Sequence, residues 1–191
     1  MTERYTLHAT RYTTPLPFSE PRKVVGQVGL REGMVVADFG SGSGHYTLAA
    51  SKAVGDTGRV YAIDIQQALL KNVKNLSSRE HRRNIEVVWG DVEKQGGAKI
   101  REHSVDVVFL TNILFQLEHK EGVLGEAKRV LKPQGRLLVV DWADSFGNMG
   151  PAPEHVFQES AARECAEGQG FRFEKRIDAG AHHYGLVFQK V

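Results

Sequence analysis

Short runs of branched and aromatic residues alternate along this chain with stretches of helical periodicity, and glycines and prolines punctuate the changes. Residues 19–29 open with a capping serine and Pro21, then set Val24, Val25 and Val28 on one side, which predicts a helix. Residues 35–39 have the length and branching of a buried strand. A short helix over 46–53, stopped by Gly55 and Gly58, leads to a second strand over 59–64. Leu69, Leu70, Val73 and Leu76 share one face of a helix over 66–76, and a third strand follows at 85–89. The fourth, 105–110, is almost wholly apolar, as a parallel strand covered on both faces must be.

The same alternation continues to the end. Val123, Leu124, Ala127, Val130 and Leu131 stripe a helix over 121–131, with Pro133 and Gly135 to stop it, and 136–142 makes a fifth strand. Two glycines and two prolines mark 143–153 as a loop, and 154–169 reads as a further helix. Strands over 171–177 and 184–190 are separated by so few residues that only an antiparallel hairpin can join them. The expected fold is α/β: a doubly wound, mostly parallel seven-stranded sheet with a C-terminal antiparallel hairpin.

Length and composition narrow this picture only a little. A chain of 191 residues without a linker-like stretch is expected to form one domain, with an arm (1–17), a core (18–142) and a closing loop, helix and hairpin (143–191). The arm mixes Tyr5, Tyr12 and Phe18 with arginines and prolines, and reads as a tail or as a flap closing over a ligand. A formal net charge of +2 supplies no strong field for nucleic acid. The single cysteine, Cys165, rules out an internal disulfide. With no apolar leader or spanning run near the start, a cytoplasmic, non-membrane protein is the expectation.

Chemistry concentrates at the strand ends. Asp38 and Phe39 run directly into Gly40, Ser41, Gly42, Ser43 and Gly44, and helical spacing resumes just beyond, so the glycines occupy a strand-to-helix turn. In doubly wound sheets ligands bind outside the carboxyl ends of the strands, at the switch point beside the first. That rule gathers the glycine turn, Asp64, Gly90 with Asp91, and Thr111 with Asn112. Asp64 is placed to accept hydrogen bonds from two vicinal ribose hydroxyls, and Asp91 to meet an adenine amino group. Each aspartate alone is equally compatible with a helix cap or loop position. The dinucleotide pattern needs a glycine at 45, which is His45, and no Gly-Lys-Ser/Thr of a phosphate loop is present. Asp38 would repel a pyrophosphate but suits an ammonium or sulfonium group.

Residues 36–44 resemble the first motif of the class I S-adenosylmethionine-dependent methyltransferases. The likeness continues through 60–64, similar to the ribose-binding acidic motif, and 88–92, similar to the adenine-binding segment. It extends to 106–112 and 127–136, the strand lining the methyl donor and the helix-turn-strand after it. The general style is similar to the small enzymes related to ubiquinone and menaquinone C-methyltransferases. The resemblance implies S-adenosyl-L-methionine as cofactor. It puts Gly40, Ser41, Gly42 and Gly44 under the methionine part, Asp38 near its ammonium, Asp64 at the ribose, Gly90, Asp91 and Val92 at the adenine, Thr111 and Asn112 beside the methyl donor, and Ile65 among the cofactor-binding residues.

The methyl acceptor is less legible. Residues 112–115 lack the Asn/Asp-Pro-Pro-Tyr/Phe signature of enzymes that methylate base or amide nitrogens. A small molecule is the first expectation for the substrate, a protein or RNA the second, and DNA is not expected. Candidate catalytic groups are Asp141, beside Trp142 at the end of the fifth strand, His155 in the following segment, and His182, His183 and Tyr184 at the last hairpin. No metal site is expected, because no carboxylate-rich spacing accompanies His155 and His182. Lys71, Lys74, His81, Arg82 and Arg83 read first as a solvated basic face and second as a contact for RNA or an acidic protein. A cofactor-binding partner without catalysis and a nicotinamide oxidoreductase are the competing readings. Nothing in the sequence fixes the oligomeric state.

Overall fold

The computed structural model describes residues 20–146 and 150–191; the arm at 1–17 lies outside them. In chain order the elements are α1 (Pro21–Val28), β1 (Val35–Phe39), α2 (His45–Val54), β2 (Arg59–Asp64), α3 (Gln67–Arg79) and β3 (Ile85–Trp89). They continue with β4 (Val105–Thr111), α4 (Lys120–Val130), β5 (Leu131–Trp142), α5 (Glu159–Gly168), β6 (Phe171–Ile177) and β7 (His183–Lys190). Single 3₁₀ turns lie at Leu114–Gln116 and Pro153–His155. The strands form one seven-stranded sheet in the order β3-β2-β1-β4-β5-β7-β6. β1 to β5 pair in parallel, and β7 inserts antiparallel between β5 and β6.

Alternation along the strands divides the core into two layers. Ala37, Phe39, Val108, Leu137 and Leu186 meet Val123, Ala127 and Val130 of α4 and Ala162 and Ala166 of α5. On the other face Val36, Val60, Phe109, Leu138 and Val187 meet Val24, Val25 and Val28 of α1 and Ala49, Ala50 and Val54 of α2. Phe39 and Phe109, one in each layer, are fully buried, and each contributes on the order of 2 to 3 kcal/mol of transfer free energy. The chain leaves β1 toward β2 and β3, then returns to lay β4 on β1's other side, so the crevice between β1 and β4 opens at the strands' carboxyl ends.

Three expectations need correction. Helix α5 starts at Glu159 rather than at 154, after a 3₁₀ turn and an extended Gln158. Tertiary contacts override local propensity there: the Phe157 carbonyl accepts the Tyr184 hydroxyl at 3.0 Å, and the Phe157 ring lies under the Lys120 ammonium. Helix α4 ends at Val130, because Lys132 precedes a proline and is pushed out of helical geometry. β5 therefore begins at Leu131, opposite Val105, loops out over residues 132–135 and resumes with Arg136 opposite Val107. Finally, Arg82 is not part of a solvated face. Its guanidinium donates to the Ser51 hydroxyl at 2.9 Å and to the Ser51 carbonyl at 2.7 Å, pinning the end of α3 to α2.

Candidate functional site

A cavity of about 690 Å³ opens where β1, β2, β3 and β4 end. One wall is the glycine turn. The Gly40 and Ser41 N–H groups both donate to the Ile63 carbonyl, at 2.8 and 3.0 Å, and Gly44 N–H donates to the Ser41 carbonyl at 2.8 Å. Gly40 has φ of 70°, and a Cβ there would lie 2.3 Å from Ile113 Cδ1, so neither the backbone nor the space admits a side chain. At the end of β2, Asp64 takes the Gly42 N–H on one carboxylate oxygen at 3.0 Å and the Gln66 N–H on the other at 2.8 Å. A carboxylate oxygen has two lone-pair sites, so each keeps one for a ligand. Ile65, Gln66 and Leu69 continue this wall.

Gly90, Asp91, Val92 and Glu93 form the next wall. A Cβ on Gly90 would meet the Gly97 carbonyl at 2.2 Å, which fixes glycine there. Asp91 closes an Asx turn by accepting Glu93 N–H at 3.2 Å and pairs with Lys94 at 2.9 Å; that ammonium holds its carboxyl below the ordinary value. Behind this wall Glu126 of α4, buried, accepts the N–H groups of Gly96 at 2.8 Å and Ala98 at 3.0 Å and the Nε and Nη2 groups of Arg129. Burial opposes its ionisation, but Arg129 and the two N–H groups outweigh burial and hold the carboxyl below its usual range. The sequence signal for Glu126 was there: one charge inside the apolar stripe of Val123, Leu124, Ala127 and Val130.

The opposite end is formed by Thr111 at the end of β4, by Asn112, Ile113, Gln116 and Leu117 after it, by Pro21 of α1, and by Trp142 and His183. Thr111 pairs with Val140, so Trp142 stands two residues beyond the end of β4 and overhangs the cavity. Its register partner on β7 is His183, with ring centroids 4.3 Å apart.

Of the twelve residues expected at a cofactor, ten line this cavity: Gly40, Ser41, Gly42, Asp64, Ile65, Gly90, Asp91, Val92, Thr111 and Asn112. Asp38 and Gly44 do not. Asp38 is fully buried beneath the first turn of α2, where it accepts the Thr47 hydroxyl at 2.5 Å, and burial pushes its carboxyl up to about 6. Gly44 faces α3, where a Cβ would come within 3.0 Å of Val73.

Of the five catalytic candidates only His183 reaches the cavity. Asp141 and Tyr184 point to the other face of the sheet. Asp141, pushed up to about 6 by burial, accepts the N–H groups of Trp142 and Phe115, and Tyr184 donates to the Phe157 carbonyl while burial raises its phenol. His182 is held by Asp144 at 2.8 Å and stacks on Phe146, and His155 is exposed on its turn. The sequence reading missed Ser43 of the glycine turn, His45 and Tyr46 at the start of α2, and Pro21, Gln66, Leu69, Glu93, Ile113, Gln116 and Leu117.

The lining holds three carboxylates, Asp64, Asp91 and Glu93, and no lysine or arginine among the described residues. A pyrophosphate there would have no lysine or arginine counter-charge, whereas a phosphate-free ligand would need none. Among the described residues no cluster of three or more potential ligands could hold a metal, and no helix is long and apolar enough to cross a membrane.

Comparison with known proteins agrees with this geometry. A family model described as a methyltransferase domain matches residues 30–185. The ubiquinone/menaquinone biosynthesis C-methyltransferase of Enterobacter sp. (strain 638) is 40% identical over 119 residues, which cover 60% of this chain and 45% of that one. The chain thus spans less than half the length of that relative, and the same holds for the Klebsiella pneumoniae (strain 342) protein of the same name, at 38% identity. The crystal structure of a SAM dependent methyltransferase from Aquifex aeolicus superposes with a TM-score of 0.83 at 32% identity, covering 92% of both chains. The chain belongs to the methyltransferase domain family, among the class I enzymes that depend on S-adenosylmethionine.

Proposed function

We propose that the protein transfers the methyl group of S-adenosylmethionine to a small molecule that enters between Trp142, His183 and the 3₁₀ turn after β4. The observation carrying this reading is Asp64: its two oxygens each accept one backbone N–H, each has a lone pair to spare, and it lines a cavity with no lysine or arginine among the described residues. The cofactor, when bound, supplies an activated methyl on a sulfonium. In this reading Asp64 and Ile65 hold the ribose, Gly90, Asp91 and Val92 the adenine, and Gly40, Ser41 and Gly42 the methionine part. Asp38, below the turn, acts on the ammonium only across the backbone. Thr111 and Asn112 flank the methyl.

The chain's own contribution is to position the acceptor and exclude water. The relatives named for quinone biosynthesis support a small-molecule acceptor. So does the largely apolar lining at the site's far end, from Ile113, Leu117 and Trp142. Purified protein incubated with methyl-labelled donor and fractionated cell extract tests this directly. Label in a low-mass, solvent-extractable fraction is the expected result. Label confined to protein or RNA would overturn the acceptor class, and repeated failure to label anything would favour a cofactor-binding partner without catalysis.

A further inference from the structure

The far end of the cavity carries polar atoms that the fold leaves unused. His183 is 4% exposed, and neither ring nitrogen has a hydrogen-bond partner among the described residues. The Oδ1 atom of Asn112, on the same lining, is also buried and without a partner. A neutral imidazole carries one donor and one acceptor, and buried polar groups are almost always satisfied, so a ring with both unmet marks where a ligand group belongs. Burial lowers the imidazole to about 4, so at neutral pH it offers a hydrogen bond and no charge. Its neighbours do not compete. Trp142 covers one side of the ring, and His182 is turned outward onto Asp144 and Phe146.

The rest of this end is mostly apolar, from Pro21, Ile113, Leu117 and Trp142, with Thr111 and Gln116 as its other polar but uncharged side chains. With no lysine or arginine on the lining among the described residues, a carboxylate or phosphate on the acceptor would be desolvated without a counter-charge. We propose that His183 is an acceptor-binding residue, hydrogen-bonding a hydroxyl of an uncharged, largely apolar small molecule. This rests on the methyltransferase reading and sharpens it. It selects the acceptor by charge and by one hydroxyl, and Asn112 is available as the second contact.

The test uses the full chain saturated with S-adenosylhomocysteine and three probes on one frame. p-Cresol has the hydroxyl and an apolar tail, toluene lacks the hydroxyl, and 4-hydroxybenzoate replaces the methyl by a carboxylate. The His183 ring signals in carbon–proton NMR, assigned by their loss in His183→Phe, should move with p-cresol. p-Cresol should bind about tenfold more tightly than either of the others. His183→Phe should erase the preference over toluene while S-adenosylhomocysteine affinity, measured by calorimetry, stays within about twofold, and His183→Gln, which keeps a donor and an acceptor, should restore part of it. Unmoved His183 signals, equal binding of 4-hydroxybenzoate, or a preference that survives in His183→Phe overturns the proposal. Failure of the wild type to bind S-adenosylhomocysteine would instead overturn the cofactor reading on which it rests.

Discussion

Asp64 accepts the backbone N–H of Gly42 at 3.0 Å, so the residue assigned to the ribose also holds the glycine turn in place. The pair joins two motifs 22 positions apart and ties the glycine turn to the end of β2. Cofactor affinity and the local order of the turn are therefore expected to respond together to changes at either residue.

Gly40 tests how tightly the turn is packed. Gly40→Ala must accept a φ of 70° and a Cβ 2.3 Å from Ile113 Cδ1. The expected loss is about 2 to 4 kcal/mol of stability in urea unfolding. In an Ile113→Val background the clashing atom is gone, so the second substitution should cost less. Strictly additive losses would show that Ile113 is not the obstacle.

Asp38 gives a pH signature. Its carboxyl lies at about 6 in the folded protein against an ordinary 3.8, so between those values the native state keeps a proton that the unfolded chain has released. That favours the native state at low pH, and the advantage fades as pH rises toward 6. Asp38→Asn does not titrate. Relative to wild type it should gain about 3 kcal/mol between the bottom and the top of that window, measured by urea unfolding across pH. Asp141 shifts the same way and His183 oppositely, but both remain in the variant and cancel in the difference. Parallel pH curves for the two proteins would contradict the buried assignment.

Much of the fold was legible because the strands are short, branched and bounded by turn residues; β1, β2, β3 and β6 fall where the pattern puts them. The candidate catalytic groups were less legible, since composition says what stands at a strand end but not which way it faces. Asp141 and Trp142 are neighbours on β5, as His183 and Tyr184 are on β7, and the period of two sends one of each pair to either face. The register pairs Trp142 with His183 and Asp141 with Tyr184, so the first pair reaches the cavity and the second goes to the layer containing α4 and α5. One strand register, invisible in a single sequence, sorts the three candidates that lie on strands, Asp141, His183 and Tyr184.

Arg82 separates a structural cation from its solvated neighbours. Arg82→Ala removes two hydrogen bonds to Ser51 and should cost about 1 to 3 kcal/mol in urea unfolding. Lys74→Ala, on an exposed position of α3, should stay within about 0.5 kcal/mol. Equal effects would return Arg82 to the basic face.

Glu126 holds the loop after β3 from behind. Glu126→Ala leaves two backbone N–H groups and Arg129 without their acceptor, and a loss of about 3 kcal/mol or more is expected, larger than for Glu126→Gln. Because the loop carries Gly97 against Gly90 and Asp91, S-adenosylhomocysteine affinity should fall in parallel. Unchanged affinity in a folded Glu126→Ala protein would mean the loop stands without it.

The central claim is that the cavity at the end of β2 binds the nucleoside through Asp64. Isothermal calorimetry of S-adenosylhomocysteine against wild type and Asp64→Ala measures it most directly. Binding by the wild type and a loss of about a hundredfold or more in the variant is the result expected for two charge-assisted hydrogen bonds. Equal affinity in the two proteins would contradict the account.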